Sequence, residues 1–565
     1  MSLDPDPHCT VALRPPQQVM RLARLGSFHQ SRLSFMRILL RRLTAENWRF
    51  EKRLFEIDDT GVGRAVYTAH GPERSYSLVA FAHDLPADQR SDRVIAEAWD
   101  CTFTLFDGIP TEGDLTRLIA NVPLQEAGRI SHSELSLSRA NRSVRLFEHV
   151  VSRLAAGQQP DAELVTSVGY LMRTTAVYGS GKFGAADREK ICDRPECIAP
   201  FQIEMLSVYL TRAFVLDLVE HMARTRAPYT AVAIEPNLRR RFGIGNSTGL
   251  GMAPFLINHP ALLGNWIAAR ETALARVRSV AAASDAEVAL FRDRLACAVT
   301  NAQNWRSEHP LQIEKLKDLR ADLAKLNAHA SDFDFAQSQP WDQLYQWAEA
   351  NLSLEGQEQL VSLLLEPYPD LVDGLADCLG ADEAASWPID GAMKIKDLRA
   401  RWDEFYDWTR EIDWDARENQ ARAWYVSAEK LEPRLGERFD EPIADYEQPL
   451  SPGRDAARLA ADLAGYADDD LTASFLLAHP EHRHMVRRLQ ILDRNPYIEI
   501  RDNTISATVL PIDMLRCKLS YFGAGHFDPR SDRWVRINMF MGAPFPHELA
   551  EMGGDDWCYP TEITQ

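Results

Sequence analysis

The sequence predicts an α+β protein that is predominantly helical, with a large central helical body and antiparallel strands near both termini. Three observations predict it. Apolar residues recur with period 2 between about residues 48 and 106, helix formers dominate from about 112 to 490, and period 2 returns from 497 to 541. Strands at both ends of a helical middle can share one sheet, which would bring the chain ends together.

The chain divides into residues 1–45, 46–130, 131–430 and 431–565. Between Asp6 and Glu46 lie seven arginines (14, 21, 24, 32, 37, 41 and 42) and no acid. A secretory signal is not expected there, because Gly, Ser, His and Gln follow Arg21 and Arg24 where an apolar core should begin. Residues 32–43 place Leu33, Met36, Leu40 and Leu43 near one helical face. One reading is a basic amphipathic helix that seeks a membrane surface or carries an organelle address. The expected reading is a docking helix whose arginines meet the acidic surface of this chain or of a second copy.

Residues 46–130 read as an antiparallel β-meander. The runs 48–57, 63–70, 76–83 and 93–106 are separated by Asp-Asp-Thr-Gly, Gly-Pro-Glu-Arg and Leu-Pro-Ala-Asp, all good turn chemistry. Connections this short lack the helical crossovers of a parallel nucleotide-binding sheet.

In the helical body and beyond, helices are expected at 112–121, 135–156, 161–176, 202–224, 260–283, 285–302, 310–328, 340–351, 355–366, 394–412, 415–431, 453–465 and 470–490. Pro260 suits a first helical turn, with Asn258 and His259 as caps. Leu316, Leu319, Leu323 and Leu326 fit either a two-heptad seam or a bundle helix. Residues 401–450 carry 14 acids against 7 bases, with Trp402, Trp408, Trp414 and Trp424 interleaved. That pattern reads as a solvated face over an aromatic seam, with a partner surface as the alternative. Strands are expected again at 497–501, 504–509, 515–522 and 533–541.

Composition limits the function. Of 565 residues, 45% are apolar and 26% charged, and the net charge is −19. This excludes a disordered or collagen-like chain and argues against nucleic acid as a partner, since an acidic body repels phosphate backbones. No transmembrane segment is expected; the closest run, 205–216, is short and holds Arg212. Eight dispersed cysteines point to a reducing cytoplasm. Cys192 and Cys197 form half of a zinc pattern without a second half, so no metal is expected from them.

The most unusual stretch is 237–254, in which Arg239, Arg240 and Arg241 precede Gly243, Gly245, Gly249 and Gly251 around Asn246, Ser247 and Thr248. Clustered backbone N–H groups, hydroxyls and guanidinium groups are what an anion needs. The competing reading is a loop with surface arginines. The stretch matches neither the P-loop nor the dinucleotide fingerprint, so the cofactor stays unknown. Two further glycine turns, 173–184 and 521–529, display Lys182 in one case and His526 with Asp528 in the other. The run His479–His484 offers Glu481 and His484 at i, i+3, a carboxylate–histidine spacing, but no second copy of it exists.

These features imply a soluble cytoplasmic enzyme acting on a carboxylate- or phosphate-bearing small organic molecule. Arg239, Arg240, Asn246, Ser247 and Thr248 would hold the anion, with Lys182 as a further cation. His526 would be the general acid/base, oriented by Asp528, in a lyase- or isomerase-like proton transfer. The alternative is a noncatalytic helical scaffold or interaction protein. A homo-oligomer is left open.

Overall fold

In the computed structural model, which describes every residue except 1–8, 22–23, 25, 84–99, 124–130, 175–190, 192, 247–259, 308–309, 381–387, 415–451, 493, 499–518, 524–525, 532–533, 552–555 and 559–565, the basic amino-terminal helix is an interior element. Helix α1 (Phe35–Ala45) buries Phe35, Met36, Ile38, Leu39, Leu40 and Leu43, and Arg37 with them. Its arginines meet the chain's own acids. Arg37 donates twice to Glu366, at 2.7 and 2.7 Å, and Arg32 donates twice to Asp373, also at 2.7 Å. Upstream, Arg14 donates to both oxygens of Glu271, at 2.7 and 2.9 Å, and to Glu358 at 2.8 Å.

The meander follows the reading over 48–57, 63–70 and 76–83, while residues 93–99 of the expected strand 93–106 lie outside the described residues. Strands β1 (Arg49–Ile57), β2 (Gly63–His70), β3 (Ser75–Ala82) and β4 (Cys101–Asp107) pair antiparallel in order. Asp58 builds the first turn by accepting from the Thr60 and Val62 amides, and Gly61 takes the positive φ (83°) that the turn requires. β1 is the sheet edge and stays charged and largely exposed, which blunts pairing with another chain. Helix α2 (Glu112–Asn121) opens on a capping box between Thr111 and Asp114. Its Leu115 and Leu118, with Val122, cover Val66, Val79, Phe81 and Phe106 on one face of the meander.

Two segments expected as single helices each divide. Residues 135–156 form strand β5 (Glu134–Arg142) and then helix α3 (Phe147–Ala155). Residues 161–176 form helix α4 (Ala162–Val168) and then strand β6 (Tyr170–Thr174). Local propensity is a weak prior there, because β4 presents an open ladder that β5 completes, and β6 then pairs with β5. Gly169, at φ 72°, ends α4 in the left-handed conformation and turns the chain into β6.

Helix α5 (Gln202–Arg226) lies under the other face of the sheet. Its Phe214 ring stands 6.2 Å from that of Tyr67 and 5.7 Å from that of Phe103. The short helix α6 (Pro236–Arg241) leads into strand β7 (Gly243–Asn246), and the carboxy-terminal hairpin adds β8 (His526–Ser531) and β9 (Trp534–Met539). All nine strands make one sheet in the order β1-β2-β3-β4-β5-β6-β7-β9-β8. It is mixed: β6 and β7 run parallel, while the other pairs are antiparallel. Three of its strands, β5 to β7, come from within the stretch read as helical body.

That body contains α7 (Pro260–Arg278), α8 (Asp285–Asn304), α9 (Pro310–Asp332), α10 (Pro340–Asn351) and α11 (Leu354–Leu364). Leu316, Leu319, Leu323 and Leu326 of α9 all face the large core. A separate core joins α12 (Ile395–Tyr406), α13 (Pro452–Leu463), α14 (Thr472–Ala478) and α15 (Arg483–Ile491) through Trp402, Leu459, Phe475 and Leu489. The expected helix 470–490 is broken because His479 leaves α14 and Pro480 cannot continue it.

The tail departs from expectation in three places. Residues 496–498 form a 3₁₀ turn where a strand was expected, and 519–523 form a single π-helical turn. The glycine turn expected over 521–529 ends early, because the chain is already in β8 at His526. The expected helix 415–431, the caps Asn258 and His259, and the expected strand 504–509 lie outside the described residues.

Candidate functional site

Strand register brings parts of the three glycine-rich stretches to neighbouring strands. Arg173 of β6 pairs with Gly245 of β7, Gly245 with Asn538 of β9, and Asn538 with His526 of β8. At a strand spacing of about 4.8 Å, His526 lies roughly 10 Å from Gly245 and roughly 14 Å from Arg173. Because β6 and β7 are parallel, both chains leave the sheet at the same end, at Thr174 and Asn246.

The glycines of β7 have a packing reason. A Cβ on Gly245 would stand 2.8 Å from the Tyr170 ring, and one on Gly243 would stand 2.6 Å from the Met539 carbonyl oxygen. Residues 243–246 are ladder, which departs from the competing reading of 237–254 as a loop with surface arginines.

Arg239, Arg240 and Arg241 sit on α6, at the entry of β7. The strand separates them by roughly 10 Å from Asn246, which ends it. Arg239 approaches Glu220 at 4.0 Å and lies over the Phe545 ring, Arg240 reaches Glu548 at 3.5 Å, and Arg241 donates to Thr166 at 3.4 Å. The buried Arg212 of α5 organises this end of the strand by donating to the carbonyls of Phe242 at 2.6 Å and Ala543 at 2.8 Å.

Sequence reasoning passed over Arg173. It is half-buried on the last turn of pleat before β6 ends, and among the described residues it has no carboxylate partner. Its signal was present, since it opens the stretch 173–184, but nothing local distinguishes it from arginines that find acids. Asn538, next but one in the same row, is buried with its Oδ1 unpartnered, while its Nδ2 donates to the Val168 carbonyl at 3.4 Å.

His526 occupies the first position of the edge strand β8, with Asp528 two residues on. The expectation that both stand on a tight turn is corrected by this strand. Asn246 is the last residue of β7. Lys182, Ser247 and Thr248 lie outside the described residues.

Other candidates resolve into ordinary partners. Cys197 is buried in a 3₁₀ turn, where burial pushes its thiol up to about 12, and Cys192 lies outside the described residues. Trp402 is buried and donates to the Ala456 carbonyl at 2.7 Å. Trp408 and Trp414 close on Gly453, where a Cβ would meet their rings at 2.8 and 2.6 Å. These three tryptophans form an inward seam.

In the His479–His484 run, the expected Glu481–His484 pair does not form the ligand-like group. His484 takes a hydrogen bond from Arg483 at 3.2 Å, and burial together with Arg483, Arg487 and Arg488 lowers its pKa. His479 and His482 turn to Asp462 instead. Compared with protein-family models, with curated proteins and with solved structures, the chain gives no match.

Proposed function

We propose that the protein is a cytoplasmic enzyme acting on a small organic molecule that carries a carboxylate or phosphate, by proton transfer of lyase or isomerase type, at the sheet end where β6 and β7 stop. The observation that carries the reading is Arg173, a half-buried cation at that end with no carboxylate partner among the described residues. A guanidinium in this position offers a forked pair of donors to an anion. The segments that follow the two strands contribute Lys182, Ser247 and Thr248 in sequence, beside Asn246. His526, in the same row of the sheet, exchanges the proton, and Asp528 orients it. Arg239 and Arg240 serve the entry of β7, where Glu220 and Glu548 engage them.

Eight cysteines dispersed along the sequence support a reducing compartment. Among the described residues no helix is long and apolar enough to cross a membrane.

Calorimetric titration with inorganic phosphate and with succinate tests the site. At least one probe binds, and Arg173→Ala weakens it about tenfold or more, since a hydrogen bond to a charged group contributes roughly 1.5–3 kcal/mol. Arg240→Ala leaves the affinity within about twofold. Binding of neither probe, or equal weakening by both variants, would remove the assignment. Once a turnover is in hand, His526→Gln lowers it by about 10²–10⁴-fold with little change in KM.

A further inference from the structure

In the separate helical core, four metal-ligating side chains converge from two parts of the chain. Asp462 stands on the last turn of α13, and His479, Glu481 and His482 lie on the bend between α14 and α15. One ligand atom from each of the four lies within 4.8 Å of the others. His479 Nδ1 is 3.5 Å from Glu481 Oε1 and 3.9 Å from Asp462 Oδ2, while His482 Nε2 is 2.7 Å from that same Oδ2.

We propose that Asp462, His479, Glu481 and His482 form a binding site for a zinc-like divalent transition metal. Bonds of about 2.0–2.2 Å in a tetrahedron set neighbouring ligand atoms roughly 3.4 Å apart. The 3.5 and 3.9 Å separations are close to that value. The His482–Asp462 hydrogen bond must open by about 0.7 Å, a small rotation of the exposed carboxylate. Two imidazoles with two carboxylates suit zinc, whereas calcium and magnesium prefer an all-oxygen shell.

The backbone and the core restrain the histidines in advance. His479 closes α14, its amide bonding to the Phe475 carbonyl at 2.8 Å, and Pro480 fixes the next bend. Both imidazoles lie on the buried Phe475 ring, with centroids at 5.0 and 5.7 Å and interplanar angles of 23° and 16°. Rings held this way lose little freedom when they bind, which is what raises metal affinity. The metal would tie α13 to the α14–α15 bend. Glu481, the most exposed of the four, would be the ligand that exchanges with water.

The test uses the full chain stripped with a chelator, titrated with zinc chloride by calorimetry and assayed for retained metal by mass spectrometry. One zinc per chain is expected at submicromolar affinity, with a rise in Tm. Asp462→Asn keeps the side-chain shape and a hydrogen bond to His482 but loses the anionic ligand, so affinity falls at least tenfold. His479→Gln falls at least as far, and the double variant retains no zinc after desalting. Absence of binding by the wild type overturns the proposal. So does zinc held equally by the folded double variant, which would place the metal on other ligands such as the cysteines.

Discussion

Arg14 and Arg37 end on carboxylates sealed from water, whereas Arg240 reaches Glu548 from a position more than a third exposed. Both regions are arginine runs in an acidic chain, and their environments differ in kind. The carboxylates of Glu271, Glu358 and Glu366 are almost wholly covered by protein. Arg14 with Glu271 and Arg37 with Glu366 each make two short hydrogen bonds, so the seated amino-terminal segment supplies much of what satisfies these carboxylates. The α6 arginines approach their carboxylates at longer range and from more exposed positions, where water can replace them at little cost. A buried pair fixes where a segment docks, and it costs most when one partner is lost. An exposed pair contributes little to stability and leaves a cation available to other anions.

The largest expected effect comes from removing a sealed carboxylate. Glu366→Ala takes away both oxygens that accept from the buried Arg37 and should cost about 3–5 kcal/mol in urea unfolding. A loss below about 1 kcal/mol would erase the contrast between the two regions. Acid should act on the same pairs more gradually. Burial disfavours the Glu271 and Glu366 carboxylates, but Arg14 and Arg270 in one case, and Arg37 and Arg32 in the other, outweigh it and hold each pKa at about 2. A depressed carboxylate stabilises the fold fully above its ordinary value of 4.5 and loses that contribution as pH falls towards 2. Tm should therefore decline between pH 4.5 and 2, and Glu366→Gln should flatten part of the decline. A wild-type Tm that is level across this window would contradict the assignment. The smallest effect belongs to Arg240→Ala, which should change stability by less than about 1 kcal/mol in the same urea series. A larger loss would show that α6 is braced like the amino-terminal segment.

Elements with local signals were legible in the sequence. β2 follows alternation and turn chemistry at both ends, and α2 and α8 announce themselves by capping boxes at Thr111–Asp114 and Ser284–Glu287. β5 and β6 were not legible, because Glu134–Arg142 and Tyr170–Thr174 are composed of residues that a helix accepts equally well. Their ladder partners, β4 and β7, settle the matter from elsewhere in the chain. His526 was singled out as an ionisable group after Gly523 and Gly525, and its strand depends on pairing with β9, which local residues do not encode.

By itself the sequence determined composition, charge, the meander, most helix positions and the docking character of the basic amino terminus. Those follow from hydrophobic period, caps and charge excess, all properties of residues within a few positions of one another. Only the tertiary structure decided which cations are spoken for. Arg14 meets Glu358 across 344 residues and Arg37 meets Glu366 across 329, whereas Arg173 meets no acid among the described residues. Asp462 likewise joins His482 from 20 residues away. Coulomb and ligand interactions depend on distance in space, and a folded chain sets that distance independently of separation along the sequence.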